Sequence, residues 1–188
     1  MYVAYHDTEW GRPVTDADRL FEKICLEGFQ SGLAWITVLR KRERFREVFG
    51  GFGVDAVARM GSHDVERLLG DAGIIRHRGK IEATINNAQC ALRMRDDGID
   101  LAAHVWGFAL DAPFGRTDGA PGPGRLNTTS DAATALSKDL RRRGWRFVGP
   151  TTVYSFMQSM GLVNDHIPGC SVAEECEELR AHTVRNTG

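Results

Sequence analysis

With 188 residues, 42% of them hydrophobic, the sequence is long enough for one domain with a core. Its net charge of −1 argues against a protein that coats DNA by charge alone, and its four cysteines do not form the paired framework of a small secreted protein. No apolar run approaches the roughly 18 residues of a membrane span, and no leader segment is recognisable, so we expect no membrane partner and a cytoplasmic location.

Apolar residues recur at helical spacing through most of the chain, and no stretch alternates as a strand does. We therefore predict an all-α fold. The expected helix starts are polar caps at Thr15, Ser62 and Ser130 and a first-turn proline at Pro150. The predicted helices run from Thr15 past Cys25 and over 33–49, 62–69, 79–95, 130–143 and 150–160.

Residues 111–128 are rich in glycine and proline and predict one loop of low structure within a single domain over 1–188. This loop separates two predicted lobes. The predicted parts are a first lobe over 12–110, a second lobe over 1–11 and 129–170, and a tail of uncertain structure over 171–188.

Glu27 is a carboxylate at the edge of an apolar helix face. At about 100° per residue, Glu27 falls about 20° from Leu20, close to Ile24. A carboxylate there is partly desolvated, which is costly unless it has a partner or a function. The alternative is a surface glutamate beyond the end of the helix, because Gly28 follows it directly.

Four aromatic residues, Tyr2, Tyr5, Trp10 and Trp35, flank Glu27 in the sequence. A pocket for a flipped base needs flat faces for stacking and a polar group for the base edge. A cationic base gains further from an aromatic face beside a carboxylate. Ordinary core packing explains the same residues, so the pattern alone leaves both interpretations open.

His166 and Cys170 have an H-x3-C spacing near the end of the chain. With His6 and Cys176 they offer the ligand types of a tetrahedral zinc site. Simple burial is the alternative explanation for the same spacing.

Residues 71–80 lie between two predicted helices and contain Gly73 and Gly79 near their ends. This arrangement is typical of a helix–hairpin–helix element that points N–H groups at a phosphate, or of a plain turn. Basic residues are also clustered: 38–46 and 138–146 each carry five basic and one acidic residue, a local charge of +4. Each cluster indicates either a solvated helix face or a DNA-facing surface.

Taken together, four long segments resemble the bacterial 3-methyladenine DNA glycosylase I family. They follow the family order over nearly the whole chain and are far more specific than any short motif. The resemblance implies a helix–hairpin–helix glycosylase fold with a small zinc-tied region that joins the N- and C-termini. The segments are YVAYHDTEWG (2–11), LFEKICLEGFQSGLAWITVLRKRE (20–43), DVERLLGDAGIIRHRGKIEATINNA (64–88) and FVGPTTVYSFMQSMGLVNDHIPGC (147–170).

The resemblance also implies roles for individual residues. Glu27 is the candidate catalytic residue and binds the methylated base together with Tyr5, Trp35 and the nearby Trp10. Matched by position, Gln30, Gly32 and Leu33 form a loop that enters the duplex, with Leu33 as its wedge. Gly73, Gly79 and Lys80 lie at the phosphates of the DNA. His6, His166 and Cys170 bind zinc.

The family carries a short Cys-Gly-Trp segment before the part that matches Tyr2, and the present sequence begins after it. One zinc ligand and one pocket aromatic are therefore absent. A start codon assigned too late is the favoured explanation. The others are a true shortening, with Cys176 or water as the fourth ligand, and loss of zinc.

The activity implied by the resemblance is monofunctional hydrolysis of the N-glycosidic bond of 3-methyladenine in double-stranded DNA, by a monomer. The cationic base is already a good leaving group, so we expect Glu27 to recognise the base more than to transfer protons. No lysine is recognisable as a Schiff-base nucleophile. The alternatives are a lesion-binding protein without catalysis and, with less support, a metal hydrolase that uses His6 and His166.

Overall fold

The computed structural model describes residues 1–109 and 128–187, the last two as backbone only. Every regular element in these ranges is helical, which confirms the predicted all-α class. The predicted loop at 111–128 lies outside the described residues, except for Thr128. No described helix is both long enough and apolar enough to cross a membrane. The elements are α1 (Tyr2–Thr8), α2 (Ala17–Gln30), α3 (Trp35–Leu39), α4 (Arg42–Val48), a 3₁₀ turn (Gly50–Phe52), α5 (Val54–Ala58), α6 (Ser62–Leu69), α7 (Arg78–Asp96), α8 (Leu101–Trp106), α9 (Asp131–Arg142), α10 (Pro150–Ser159) and α11 (Ala173–Thr187).

Polar side chains cap the helices close to the predicted starts. Ser130 caps α9 as predicted, because its hydroxyl accepts a 3.1 Å hydrogen bond from the Ala133 N–H. The prediction of Thr15 as the cap of α2 is wrong by one residue. Asp16 has the extended backbone of an N-cap, and its carboxylate accepts a 2.8 Å bond from the Arg19 N–H.

The predicted cap at Ser62 is also one residue away from the observed one. Ser62 is the first residue of α6, and Gly61 is the N-cap. The Asp64 carboxylate accepts a 3.1 Å hydrogen bond from the Gly61 N–H. A side chain of the first turn of α6 therefore satisfies the N–H of the N-cap residue.

The segment predicted as one helix over 33–49 forms two helices, α3 and α4. Helix α3 ends at Leu39, and the Lys41 N–H bonds the carbonyl of Val38, three residues back, at 2.9 Å. This tighter 3₁₀-type bond interrupts the α-helical register. The short helices α5 and α8 were not predicted, because five or six residues carry too little of a periodic pattern.

Helix α2 lies at the centre of the protein and contacts α3, α7, α8 and α10. Its apolar face, which includes Phe21 and Phe29, joins one hydrophobic cluster that contains residues from before and after 110–127. The rings of Phe29 and Phe45 have centroids 4.5 Å apart. Burial of each such ring stabilises the fold by about 2–3 kcal/mol. The division into two lobes stays a prediction.

The segment after α1 is held against the end of α10. The Gly11 N–H bonds the Ser159 carbonyl at 3.3 Å, and the Val14 N–H bonds the Met160 carbonyl at 3.2 Å. These bonds hold the segment that follows α1 against the end of α10, and they place the N-terminal residues close to the loop that follows α10.

Candidate functional site

Helix α2 brings Lys23 and Glu27 together on one buried face. The two residues are four apart in sequence and are 6% and 5% exposed. Lys23 Nζ lies 2.9 Å from Glu27 Oε1. Because α2 continues through Gly28 to Gln30, the alternative that Glu27 lies on the surface beyond the helix is wrong. Glu27 is therefore a buried carboxylate that is paired with a buried ammonium.

Two aromatic residues complete a cage around this ion pair. Tyr5 of α1 and Trp35 of α3 have ring centroids 5.6 Å apart, with their planes inclined by 41°. Lys23 Nζ lies 3.4 Å from the centroid of the Trp35 ring and donates a 2.7 Å hydrogen bond to the Tyr5 hydroxyl. This set of four residues, which we call the cage, already accommodates a positive charge.

Burial governs the protonation of the cage. It raises the pKa of the Tyr5 hydroxyl, and the charge of Glu27 raises that pKa further. The hydroxyl therefore keeps its proton while it accepts the bond from Lys23, and the proton is free to be donated to a ligand. Burial lowers the pKa of Lys23, and the adjacent charge of Glu27 opposes this effect.

A pocket beside the cage is bordered by charged side chains that are paired with each other. Arg42 donates two hydrogen bonds to the Glu9 carboxylate, at 2.5 and 3.0 Å, and Arg46 donates one to Glu22 at 2.7 Å. Burial raises the pKa of Glu9, but the hydrogen bond and charge of Arg42 outweigh it, so this pKa lies below its usual value. Part of the basic cluster at 38–46 is thus engaged in ion pairs within the protein.

Helix α2 ends in a tight turn that exposes Leu33. The Leu33 N–H bonds the Gln30 carbonyl at 2.6 Å, and the Gln30 amide donates a 2.7 Å bond to the Leu33 carbonyl. Ser31 has φ −47° and ψ 116°, and Gly32 has φ +81°, the dihedrals of a type II turn. Only glycine adopts the second position easily, so Gly32 fixes the turn that leaves Leu33 39% exposed.

The segment predicted as a hairpin connects α6 to α7. His77 caps α7, because its Nδ1 accepts a 3.2 Å bond from the Lys80 N–H. The Asp71 carboxylate accepts a 2.7 Å bond from the Gly73 N–H and a 2.8 Å bond from Arg44. The Gly73 N–H is therefore engaged within the turn, and its contact with a phosphate stays a prediction.

Lys80 joins this segment to the end of α2. It is 8% exposed, and its ammonium donates bonds of 2.9 and 2.6 Å to the carbonyls of Phe29 and Ser31. These carbonyls lie at the negative end of the α2 dipole, where a cation is stabilising. The ammonium thus supports the turn that carries Leu33, and a direct bond from it to a phosphate stays a prediction. Gly79 lies in the first turn of α7, where N–H groups lack partners within the helix.

The ligand atoms of His6, His166 and Cys170 all lie within 4.8 Å of one another. Cys170 Sγ is 3.9 Å from His6 Nε2 and 3.5 Å from His166 Nδ1. A sulfur and a nitrogen on one tetrahedral zinc ion lie about 3.6 Å apart, from the usual bond lengths. The Asp7 carboxylate bonds His6 Nδ1 at 2.8 Å, which leaves Nε2 directed at the cluster. The three side chains therefore fit a zinc ion.

The structure places Trp10 outside the base-binding cage and Cys176 outside the group formed by His6, His166 and Cys170. Trp10 stacks on His6, with centroids 5.8 Å apart, and contacts His166 edge-on at 4.7 Å. The chain leaves α1 at Thr8, so Trp10 lies against His6 and His166 and not in the cage with Tyr5 and Trp35. Cys176 is buried in α11, and its sulfur is not part of the group of ligand atoms found among the described residues.

Lys23 is the cage residue that sequence reasoning missed. Its spacing of four from Glu27 was the available signal, because such pairs meet on one helix face. A lysine beside an apolar stripe is usually a surface residue whose stem covers that stripe.

Comparisons with known proteins agree with this architecture. A family model described as methyladenine glycosylase matches residues 1–174. The DNA-3-methyladenine glycosylase 1 of Escherichia coli (strain K12) is 53% identical over 170 residues, which are 90% of each chain. A crystal structure of a 3-methyladenine DNA glycosylase I matches with a TM-score of 0.84 at 52% identity, covering 90% of this chain and 92% of that chain. A structure concerned with 3-methyladenine recognition by the Staphylococcus aureus enzyme matches with a TM-score of 0.83 at 35% identity, covering 92% and 90%. The chain therefore belongs to the methyladenine glycosylase family, as its sequence segments indicated.

Proposed function

We propose that the protein excises 3-methyladenine from alkylated DNA by hydrolysis of the N-glycosidic bond, a step of base-excision repair. The observation that carries this proposal is the cage, in which a buried carboxylate is paired with an ammonium that lies against two aromatic rings. The Escherichia coli relative is named for this activity, and the Staphylococcus aureus structure concerns recognition of the same base.

Release of the base from methylated DNA tests this function. The protein is incubated with duplex DNA that has been treated with a methylating agent, and the released bases are separated by chromatography. We expect free 3-methyladenine. Binding to methylated DNA without any release would instead indicate a lesion-binding protein without catalysis.

The reaction breaks the bond between C1′ of the deoxyribose and N9 of the base. The electron pair of this bond passes to the cationic base, which leaves neutral, while water adds to C1′ and loses a proton. Because N3-methylation already supplies the positive charge, the base needs no further proton to depart. Glu27 holds the base and favours its charge, and Tyr5 and Trp35 provide the stacking faces.

Lys23 places an amine in the cage, where the sequence had indicated no nucleophilic lysine. Its Nζ is enclosed by the Glu27 carboxylate, the Tyr5 hydroxyl and the face of the Trp35 ring. These groups hold the base and not the sugar, so we infer that the amine does not attack C1′. The protein is then a monofunctional glycosylase that leaves the strand intact.

The DNA-facing surface is proposed to be the turn at 30–33 together with the segment at 71–80, which would act as a helix–hairpin–helix element. The support is their connection through Lys80, which binds carbonyls at the end of α2. In this arrangement an exposed apolar side chain lies next to a helix start that offers N–H groups to phosphates. We expect the protein to act on double-stranded DNA as a monomer in the cytoplasm.

Leu33→Ala is expected to weaken binding to a duplex with an abasic-site analogue by about tenfold, because the wedge loses three carbons that fill the gap left by the base. Fluorescence anisotropy measures this affinity. Leu179→Ala is the matched control, since Leu179 is 41% exposed and lies on α11, and we expect it to bind as the unmodified protein does. Unchanged binding by Leu33→Ala would remove Leu33 from the wedge role.

We also propose that His6, His166 and Cys170 bind zinc. The distances between the ligand atoms support this proposal. Burial, and then the neighbouring His6, also lower the pKa of His166. The His166 imidazole is therefore neutral, as a metal ligand must be. The ion would tie α1 to the segment before α11, and no step of hydrolysis uses it. Three of the four ligands of a tetrahedral site lie among the described residues.

Elemental analysis of the purified protein is expected to find about one zinc ion per chain. Cys170→Ser should lower the zinc content and the melting temperature. Cys90→Ala is the control, because it removes a buried thiol outside the cluster and should retain the metal. An unmodified protein that is stably folded without zinc would contradict the proposal.

A further inference from the structure

Lys23 is a positive charge that the proposed hydrolysis does not use. Its Nζ lies 2.9 Å from Glu27 Oε1 and 3.4 Å from the Trp35 ring centroid, and it bonds the Tyr5 hydroxyl at 2.7 Å. A cationic base would require the same carboxylate and the same aromatic faces. The ammonium and the base therefore compete for one set of partners, or they must lie beside each other.

Among the described residues, the charges around the cage provide no second unpaired anion to balance both cations. Glu9 and Arg42 are the next charges that act on Lys23, and they are bound to each other by two hydrogen bonds. Their effects on a third charge largely cancel. The single negative charge of Glu27 is thus already balanced by Lys23, and the cage as a whole is close to neutral.

We propose that Lys23 is a specificity-determining residue that sets the charge preference of the cage. It removes most of the advantage that an unpaired Glu27 would give to a cationic base over a neutral one. The inference rests on the proposed function, in which the base is cationic while it is attached through N9 and neutral once released. The repulsion between the ammonium and the attached base is relieved as the bond to C1′ breaks.

Two ligands of different charge test this proposal on the full chain. The neutral one is free 3-methyladenine at mildly alkaline pH, and the cationic one is 3,9-dimethyladeninium, which resembles the base attached at N9. Isothermal titration calorimetry gives both affinities, and the measured quantity is the ratio of cation affinity to neutral affinity.

Lys23→Met keeps a similar length and apolar stem but removes the charge, so we expect it to raise this ratio on the order of tenfold. Lys138→Met removes an exposed lysine of α9 and should leave the ratio unchanged. An equal ratio for Lys23→Met and the unmodified protein, with both ligands still bound, would overturn the role of Lys23 and leave the proposed function intact. If the unmodified protein binds neither ligand, both proposals are overturned.

A second comparison applies if Lys23→Met does not fold, because that variant leaves a buried carboxylate unpaired. Glu27→Gln keeps the ammonium and should lower the ratio. The double variant Lys23→Met/Glu27→Gln removes both charges. Its ratio of cation affinity to neutral affinity should be about tenfold higher than that of Glu27→Gln. Equal ratios in these two variants would overturn the inference as well.

Discussion

Glu27→Gln is expected to lower the rate of 3-methyladenine release from methylated DNA by about 100-fold or more. The amide keeps the shape of the side chain but removes the negative charge that balances the Lys23 ammonium, which lies 2.9 Å from the carboxylate. The cage then carries a net positive charge and repels the base, which is cationic while it is attached to the DNA. Single-turnover release with enzyme in excess over the methylated DNA measures this effect directly.

The control for this substitution is Glu178→Gln, which makes the same chemical change at an exposed position of α11 and should release the base at the normal rate. Glu27→Gln should still bind a duplex with an abasic-site analogue with unchanged affinity, because the turn at 30–33 is held by bonds that do not involve Glu27. A Glu27→Gln protein with full excision would remove Glu27 from the proposed role. Loss of both duplex binding and excision would instead indicate a misfolded variant.

Helical periodicity was sufficient to predict the fold class, and it placed Glu27 at the edge of an apolar stripe while it left open a surface position beyond the end of the helix. The stripe that includes Leu20 and Ile24 is buried as expected, and Glu27 lies at its edge on the same helix. These properties are local, since they depend on spacings of three and four residues. A carboxylate at the edge of such a stripe is recognisable because burial without a partner is costly.

The cage as a whole could not be predicted from local patterns. It requires α1, α2 and α3 to converge, and no spacing in the sequence states that Tyr5 and Trp35 lie 5.6 Å apart. Lys23 escaped notice because a lysine at the edge of an apolar stripe normally extends its ammonium into solvent. Here the Glu27 carboxylate and the Tyr5 hydroxyl satisfy that ammonium inside the protein.

The group formed by His6, His166 and Cys170 could not be predicted from local patterns either, because its members are far apart in the sequence. The H-x3-C spacing of His166 and Cys170 is local, but their meeting with His6 depends on how the two ends of the chain pack. The family resemblance supplied that association. It placed Trp10 near the methylated base, whereas the structure finds Trp10 against the two histidines.

The contact between the end of α10 and the segment that follows α1 depends on Gly161, which lies just after α10. Gly161 has φ +72°, and a Cβ added to it would lie 2.5 Å from the Pro13 nitrogen, 2.7 Å from the Arg12 carbonyl carbon and 2.8 Å from the Gly11 oxygen. All three atoms belong to the backbone, so no side-chain rotation relieves the clash. The N-terminal segment would have to move away from α10.

Gly161→Ala is therefore expected to lower the free energy of unfolding by about 3 kcal/mol or more, from the left-handed backbone and the steric clash together. Urea unfolding followed by circular dichroism measures this loss. Gly98→Ala is the matched control, since Gly98 has φ +77° but no atom within 4 Å of an added Cβ, and it should cost only about 1 kcal/mol. Because Tyr5 and His6 lie on α1, Gly161→Ala should also weaken the binding of 3-methyladenine and lower the zinc content. Equal losses of stability in the two variants would show that the close approach of Gly161 to the N-terminal segment contributes nothing to the fold.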